Sequence, residues 1–568
     1  PVVTELLNMA PGLRVLATSR VLMHLYGEHE YRVLPLSLPS PTNLVEQSEA
    51  VRLFVQAARS ARPDFELTAA NSGAVAAICE RLDGLPLAIE LAAARIRLFS
   101  PEALLERLAN RLEVLGGRSR DLPVRQHTLR QTFDWSYDLL APAERGLLAA
   151  LGVFAGGFTP EAAEAVRSDD QPGVALRGLE VLHESGLVER VDHPSEELRF
   201  RLLETVRAYA LARLAESCDG DSARQRHAEY YLALAERAEP ELLGPRPESW
   251  LAHLAADHAN LMAAISWFDD TEDAEAEARL AGALREYWYA TGRWTEGRTR
   301  LEHSVARSSE LSTPVAAKVL VAAGFLAHYQ GDDGRAVPLL EHALELLGRT
   351  GNEREEAYAQ YLLGVVAEDR GDYATSTALL SQAARRMREL GDGTNAAYSE
   401  SHLGIVALGR GDLAAAARHG EAAHTLAIEG GSRDATAVAT LLLGDTAREG
   451  GDLATAAAWY RDYLAIVVED GPSASEDLAR AAASVAVLAV RRRELERAAH
   501  LLGAAERLRN SIGLALAQPE LAASEQAMAQ TGRALGAHAF ETALDAGRAM
   551  EVREVIVELE KVLMLSHP

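Results

Sequence analysis

A polar pair follows a short apolar segment near the start of the chain. Leu13–Thr18 has the composition of a buried parallel strand, and Ser19 and Arg20 come directly after it. Ligands of open α/β sheets collect at the carboxyl edge of the strands, where this pair would lie. Taken in isolation, Arg20 is better explained as a surface arginine that closes a strand.

A second candidate is the tripeptide Gly84-Leu85-Pro86. Its proline stands where a first helical turn accepts one, just before a predicted helix, so ordinary helix chemistry also explains it. Helices are predicted around it at Ser48–Arg59, Ala69–Leu82, Leu87–Leu98 and Pro101–Leu115.

The sequence lacks the motif that grips nucleotide phosphates. A P-loop needs Gly-x-x-x-x-Gly-Lys followed by Ser or Thr, and the only lysines are Lys318 and Lys561. No Gly-x-Ser-x-Gly, His-Glu-x-x-His or Cys-x-x-Cys motif occurs either. We therefore predict no catalytic residue and no metal site.

The order of several short motifs resembles the STAND signal-transducing NTPases, and more narrowly the NB-ARC-type ATPase module of SARP and LuxR-type bacterial regulators. These motifs are Leu13–Arg20, Gly27-Glu28, Pro35-Leu36, Ala50–Phe54, Gly84–Ala92 and Leu129–Ser136. Tetratricopeptide arrays follow this module in that family. The resemblance covers essentially the whole chain, and it lies in order and spacing because each motif alone is weak.

The resemblance implies roles for both candidates. Arg20 would be the first sensor of the terminal phosphate of ATP, since a guanidinium stays charged and its planar fork matches phosphate oxygens. Pro86 would pack against adenine. The complete protein would be a slow ATPase switch that binds ATP or ADP with magnesium. Because the family places its P-loop and magnesium strand upstream, we expect the chain to begin inside the NTPase domain and not to hydrolyse ATP.

Residues 119–216 resemble the winged helix of the same module. Helices are predicted at Thr128–Leu140, Ala143–Leu151, Pro160–Val166 and Leu179–Ser185, and a hairpin is predicted from strands Leu187–Val191 and Leu198–Leu202. Leu202, Leu203 and Glu204 occupy the place of the family's regulatory Met-His-Asp motif, without its histidine. Eleven arginines stand against sixteen carboxylates in this stretch, so we expect no direct nucleic-acid binding.

The second half of the chain repeats every forty residues. Four glycines recur in register, each followed by alanine three residues later and by a Gly-Asp pair from the seventh residue on: Gly324, Gly364, Gly404 and Gly444. A period of this length predicts a solenoid of stacked helix pairs, and the pattern resembles tetratricopeptide repeats. Forty residues exceed the usual ~34, which leaves longer helices or longer loops open.

Two neighbouring segments depart from the repeat. The fifth copy has Arg491-Arg492 where Gly-Asp is expected, which favours a capping unit, and Thr291–Trp294 resembles a turn displaced by one residue. Trp288, Tyr289 and Trp294 cluster at the start of the array, where core packing is the default interpretation and peptide binding on the concave face is the alternative.

Composition narrows the class of partners. The net charge of −26 argues against a broad surface for nucleic acid or anionic membrane, and no apolar run is long enough to span a bilayer. Cys79 and Cys218 have no metal-binding spacing, so we expect two buried thiols in a cytoplasmic protein.

The predicted fold is mainly α. We expect a remnant of the α/β P-loop NTPase core at 1–40, a helical lid at 41–118, the winged helix at 119–216, a helical linker with divergent repeats at 217–310, the α-solenoid of tetratricopeptide-like repeats at 311–510 and capping helices at 511–568. The predicted function is a nucleotide-dependent regulatory switch of transcription, with an array that binds a protein or small molecule and with homo-oligomerisation on activation. The alternative is a tetratricopeptide scaffold whose N-terminal domain is vestigial and binds no nucleotide.

Overall fold

The computed structural model describes residues 35–39, 48–108, 129–167, 173–192, 197–244, 247–469, 475–512 and 518–564. They fall into two compact units. The first contains the described residues up to Tyr231 together with Ala255–Trp267, and the second contains Leu232–Leu254 and the residues from Phe268 onward. The predicted strand Leu13–Thr18 lies outside the described residues. Within the described ranges, no helix combines the length and apolar character needed to cross a membrane.

The first unit begins with the helices of the segment that is predicted to be a helical lid. Its helices are α1 Glu49–Ala61, α2 Ser72–Arg81, α3 Pro86–Ala93, which continues as a 3₁₀ turn over Ala94–Arg97, and α4 Pro101–Leu108. Ser48 caps α1 by accepting a hydrogen bond from the amide of Val51, and Phe54 is among the α1 residues buried in the lid core. The predicted helices are confirmed within a few residues, and 109–115 lies outside the described part.

The winged helix follows in the same unit. It consists of α5 Leu129–Asp138, α6 Pro142–Leu151, α7 Pro160–Ala165, α8 Val174–Glu184, β1 Glu189–Val191, β2 Arg199–Arg201 and α9 Glu204–Ala215. The two strands pair antiparallel with Arg190 opposite Phe200, and Phe158 bridges to Phe200 from the other side. The hairpin is confirmed, and each strand is two residues shorter in total than predicted.

The chain continues to the repeats through helices of 6 to 19 residues. These are α10 Gly220–Ala238, α11 Pro247–Ala256, α12 His258–Asp270, α13 Ala274–Ala283, α14 Arg285–Ala290 and α15 Trp294–Ala306, with 3₁₀ turns at Glu239–Leu243 and Ser308–Glu310. Cys218, between α9 and α10, is exposed, so the prediction of two buried thiols is wrong for this residue and right for Cys79.

The repeat array is a series of paired helices: α16 Thr313–Tyr329, α17 Asp333–Thr350, α18 Glu353–Asp369, α19 Tyr373–Glu389, α20 Gly393–Gly409, α21 Leu413–Gly430, α22 Arg433–Glu449, α23 Leu453–Glu469, α24 Ser475–Arg491 and α25 Leu495–Ile512. It ends in α26 Gln518–Leu535, α27 Ala537–Ala549 and α28 Val552–Met564. The helices from α16 to α23 have 17 or 18 residues each. Two or three residues join them, so the extra length of the repeat lies in the helices.

Each Gly-Asp pair ends one helix and starts the next. Gly371 has φ +75°, a left-handed conformation that glycine adopts without strain, and the amide of Asp372 donates to the carbonyl of Ala367 at 2.9 Å. The Asp372 carboxylate then accepts a hydrogen bond from the amide of Thr375 and so caps the following helix. Asp332, Asp412 and Asp452 cap their helices in the same way.

The fifth turn lies two residues beyond the predicted Arg491-Arg492, so that assignment is wrong. Arg493 has φ +65°, and the amide of Glu494 donates to Ala489 at 2.9 Å, as Asp452 does to Ala447. The reason is that α23 ends at Glu469 and α24 begins only at Ser475, which moves the register forward. The displaced turn near α15 is confirmed, since Gly292 has φ +68°.

The repeated small residues let paired helices approach closely. A Cβ atom on Gly364 would lie 2.8 Å from Cγ of Leu380 in the partner helix, and one on Gly324 would lie 2.7 Å from Cγ of Leu340. Real Cβ atoms essentially never come so close, so a larger residue at these positions would push the helices apart.

We predict that Gly364→Ala lowers the free energy of unfolding of the array by about 1–2 kcal/mol, because overpacking outweighs the better helix propensity of alanine. The matched control is Gly348→Ala, at an exposed position of α17 with nothing within 4 Å of the new methyl group, which should stabilise by about 0.5–1 kcal/mol. Urea unfolding followed by circular dichroism measures both. Equal effects of the two substitutions would contradict the packing argument.

Candidate functional site

The structure describes four of the five site residues predicted from the sequence. Arg20 lies outside the described residues. Pro86 is the first residue of α3 and is exposed, while Leu202, Leu203 and Glu204 connect β2 to the start of α9. All four belong to the first unit.

Glycine is required in the loop before Pro86. Gly84 has φ +66°, and its carbonyl accepts a hydrogen bond from the amide of Leu36 at 3.0 Å. A Cβ atom on Gly84 would lie only 2.3 Å from the carbonyl oxygen of Leu36. The loop and the Pro35-Leu36 segment are therefore held together by a contact that only glycine permits.

A groove of about 870 Å³ lies beside Pro86. Apolar side chains line part of it, namely Leu36, Leu53, Leu67 and Pro86, and charged side chains line the rest, including Arg52, Arg59, Glu49, Glu66 and Glu90. The apolar part of this lining suits a heterocyclic ring, and the charged part contains two guanidinium groups and three carboxylates.

Asp83 joins this loop to the winged helix. Its carboxylate oxygen Oδ2 accepts hydrogen bonds from the Thr205 amide at 3.1 Å and from the Thr205 hydroxyl at 3.2 Å. The N-cap residue of α9 is Leu203, which has no oxygen in its side chain to cap the helix. Asp83 therefore caps α9 from another domain, where a carboxylate also opposes the positive end of the helix dipole.

The environment of Asp83 acts on its charge in two directions. Burial raises the pKa of the carboxyl group, while hydrogen bonds from the backbone of Thr205 and Glu204 and from the Thr205 hydroxyl lower it, and the pKa stays above its usual value. Asp83 itself has φ +54°, a conformation that side chains rarely adopt. The contact between the Pro86 loop and α9 thus depends on a partly desolvated carboxylate on a residue with a left-handed backbone. We call this contact the joint.

Asp83 is not among the residues predicted from the sequence. The available signal was a leucine at the N-cap of a helix, because such a helix needs a cap from elsewhere. Of the three residues that were predicted, Leu202 is buried, and the Glu204 carboxylate accepts a hydrogen bond from Arg207 at 3.1 Å. The backbone at the start of α9 therefore reaches the Pro86 loop, whereas the Glu204 carboxylate pairs within its own helix.

A buried polar network fixes the β-hairpin of the winged helix. Arg199 on β2 pairs with Asp257 at 2.6 Å with both side chains 3 % exposed, and the Tyr231 hydroxyl donates to the same carboxylate at 3.1 Å. Asn260 accepts a hydrogen bond from the amide of Ala155 and donates one to the carbonyl of Gly157, both at 2.8 Å. A guanidinium held in this way is not available to a phosphate at the surface.

Helix α8, which precedes the hairpin, has a mixed outer face. Leu176, Arg177, Glu180, Val181 and Glu184 are exposed there. Two carboxylates and two apolar side chains accompany one arginine, whereas helices that enter the major groove of DNA carry mainly basic and amide groups.

Comparison with known proteins identifies the domain that contains this helix. Residues 140–215 match the model of a family described as a winged helix-turn-helix domain. The predicted winged helix is therefore confirmed. A winged helix-turn-helix is the one domain class that the comparisons establish for this chain.

Two bacterial regulators are similar to part of the chain. Rv0890c of Mycobacterium tuberculosis (strain H37Rv), named as an HTH-type transcriptional regulator, is 36 % identical over 324 residues, which cover 56 % of this chain and 36 % of that protein. The regulatory protein AfsR of Streptomyces griseus is 30 % identical over 378 residues, 64 % of this chain and 36 % of that protein. The chain thus spans about a third of the length of these curated relatives.

One similar solved structure is a signal transduction ATPase with numerous domains, the STAND protein PH0952 of Pyrococcus horikoshii, which has a tetratricopeptide repeat sensor. The match covers 91 % of this chain and 74 % of that one, with 14 % identity and a TM-score of 0.43.

His227 gives the first unit a pH-dependent stability. Its ring lies 5.2 Å from that of Phe154 and 4.8 Å from that of Tyr231. Burial lowers its pKa to about 4, against the opposing effects of an Asn260 hydrogen bond and the Asp257 charge, and the Arg207 charge lowers it further. In the unfolded chain this histidine has its ordinary pKa of about 6.5, so it binds a proton at a higher pH than in the folded chain. The free energy of unfolding of this unit therefore falls as the pH falls from about 6.5 towards the folded-state pKa.

We predict that this unit loses about 2 kcal/mol between about pH 7 and about pH 5 through His227, and that His227→Leu removes this loss. A dye on the exposed Cys218 reports urea unfolding locally, because Cys79 is buried. His342→Leu, at an exposed position of α17, is the control and should leave the pH dependence unchanged. An unchanged slope in His227→Leu would show that the ring is not kept neutral by burial.

Proposed function

We propose that this chain is the regulatory part of a nucleotide-controlled regulator of transcription. In this proposal the winged helix closes on the Pro86 loop in response to the bound nucleotide, and the repeat array senses a protein or small molecule. The similarity to two bacterial regulators supports the class, and the motif order quoted above supports the nucleotide.

The hydrogen bonds from Thr205 to Asp83 are the observation that carries the proposal. They connect the start of α9, which follows the Met-His-Asp position, to the loop that leads into Pro86. A nucleotide whose base lies against Pro86 would therefore be next to the only cap that α9 has among the described residues. Small shifts of the loop would break or make that cap.

The described residues fit one side of a nucleotide. The groove beside Pro86 offers Leu36 and Leu53 to a base and Arg52 and Arg59 to negative charge. The described residues contain no group of carboxylates, histidines and cysteines that could hold magnesium, so we assign no metal ligand among them. Bound ATP or ADP would supply the signal through the presence or absence of its terminal phosphate, which we propose Arg20 contacts.

We predict that Thr205→Val in the complete protein weakens binding of the nucleotide that closes the joint by about fivefold or more, because one hydrogen bond to a buried carboxylate is lost. Titration with fluorescent ADP and ATP analogues measures the change, and a transcription reporter measures its effect on output.

The matched control is Thr446→Val. Thr446 is also buried, but its hydroxyl donates to the carbonyl of Leu442 in its own helix at 2.8 Å. Equal nucleotide affinities in wild type and Thr205→Val would contradict the proposal that the contact between Asp83 and Thr205 acts as the switch. A complete protein that binds neither nucleotide would favour the scaffold alternative.

DNA binding by the winged helix itself is a second candidate, favoured by the match over 140–215. The outer face of α8 and the buried Arg199 argue for a protein partner instead. We therefore expect the chain to show only weak, salt-sensitive binding to a labelled duplex from the region upstream of its own coding sequence. Tight binding that Arg177→Ala abolishes would establish the DNA-binding role.

A further inference from the structure

A continuous row of aromatic rings runs along the first helices of successive repeats. Tyr289 on α14 lies 4.5 Å from Tyr329 and 5.3 Å from Phe325, both on α16. Phe325 lies 6.5 Å from Tyr358, which lies 5.7 Å from Tyr361 on the same helix, α18. We call these five residues the aromatic row.

The aromatic row lines a space inside the array, and residues of later repeats also line it. We call this space the interior. The hydroxyl of Tyr289 donates to the Glu476 carboxylate on α24 at 3.4 Å, across 187 residues of sequence. Burial and the charges of nearby groups, among them Asp434, Tyr329 and Glu286, hold the pKa of Tyr398 on α20 well above the ordinary value. Helices from both ends of the array therefore surround one common space.

Two hydroxyl groups of the row have no hydrogen-bond partner within the described part of the chain. Tyr358 and Tyr361 are only 7 % and 6 % exposed, and the shifts of their pKa values, both well upward, arise from burial and from neighbouring charges without any hydrogen bond. Neither hydroxyl oxygen is fully buried, so both can donate a hydrogen bond to water or to a ligand in the interior.

The two arginines of this interior are already paired. Arg285 contacts Glu286 at 2.9 Å and Glu355 at 3.3 Å. On the opposite side, Arg480 pairs with two carboxylates in the same manner, Glu476 at 3.1 Å and Glu520 at 2.7 Å. Each guanidinium thus has two carboxylates, which leaves little attraction for an anionic ligand.

Further carboxylates add to this excess of negative charge. Asp369 on α18 is 3.7 Å from His328, whose other ring nitrogen bonds to Asp333 at 3.0 Å. Asp477 accepts a hydrogen bond from the Tyr463 hydroxyl at 3.0 Å. Burial raises the pKa of Asp477 to about 6, as the loss of hydration without a full countercharge would.

The chain itself shows how a cation fits the row. The guanidinium of Arg285 lies over the ring of Tyr358 at 4.4 Å and near that of Phe325 at 5.8 Å. Aromatic faces attract cations in this way, more strongly where water is excluded. A ligand with guanidinium or ammonium groups would find further rings and carboxylates in the same interior.

We propose that the interior of the repeat array binds a short, extended peptide with arginine or lysine side chains. The cationic groups would meet Asp369, Asp477 and the aromatic row, and the peptide carbonyls would accept hydrogen bonds from Tyr358 and Tyr361. The free hydroxyls favour a peptide over a simple polyamine, because a polyamine offers no acceptor. Solvent reaches the interior, since the side chains of Asp369 and Glu476 are 30 % and 25 % exposed. The proposal rests on the sensing role given to the array above.

The test is retention of the full chain on an array of short random peptides, without nucleotide. We expect arginine and lysine to be enriched among the peptides that bind wild type. Asp369→Asn with Asp477→Asn should weaken the best peptides on the order of tenfold, because two partly buried charge pairs are lost. Tyr361→Phe should weaken them severalfold and keep the preference for basic residues.

The matched control is Glu341→Gln with Glu421→Gln, two exposed carboxylates on α17 and α21. This variant has the same net charge as the interior variant, so it separates a specific site from general attraction to a chain of charge −26. No enrichment of basic residues, or equal weakening by both double variants, would overturn the proposal. Spermidine that binds more tightly than every peptide would overturn the assignment to a peptide. Because nucleotide is absent, failure of the nucleotide switch leaves this result unaffected.

Discussion

The capping of helix N-termini by aspartate is the interaction on which the rest of the structure depends. The first amides of a helix have no partner within it, and a carboxylate satisfies them while it opposes the helix dipole. In the array the cap is local, because Asp372 caps α19 by accepting a hydrogen bond from the amide of Thr375, three residues further along the chain. In the first unit the cap is remote, since Asp83 caps α9 from a different domain.

In the proposed function, this difference distinguishes the array from the joint that responds to nucleotide. A local cap forms whenever its own turn forms, so the helix pairs of the array are regular and stack in a fixed register. The remote cap exists only while the Pro86 loop and the winged helix are together. In the proposed function, the same chemistry therefore holds the array in register and forms a contact between the Pro86 loop and the winged helix that a bound ligand would make or break.

The interior of the array is lined by aromatic and charged side chains of several helices. Positions that face inward are occupied by tyrosines and charged groups such as Tyr361 and Asp477 rather than by the aliphatic residues of a core. This concentration of aromatic rings and carboxylates in one space is what the proposed basic peptide would contact.

The sequence by itself determined the local features. The forty-residue period, the Gly-Asp turns, the helices of the lid and the winged-helix hairpin were predictable, because each depends on residues a few positions apart. The fifth turn was misplaced by two residues because a longer connection shifted the register. Only the tertiary structure decided which distant residues meet: Asp83 with Thr205 across 122 residues, and Tyr289 with Glu476 across 187. Periodicity and spacing report on the chain's own backbone, whereas these contacts depend on how separate helices pack, which no local pattern encodes.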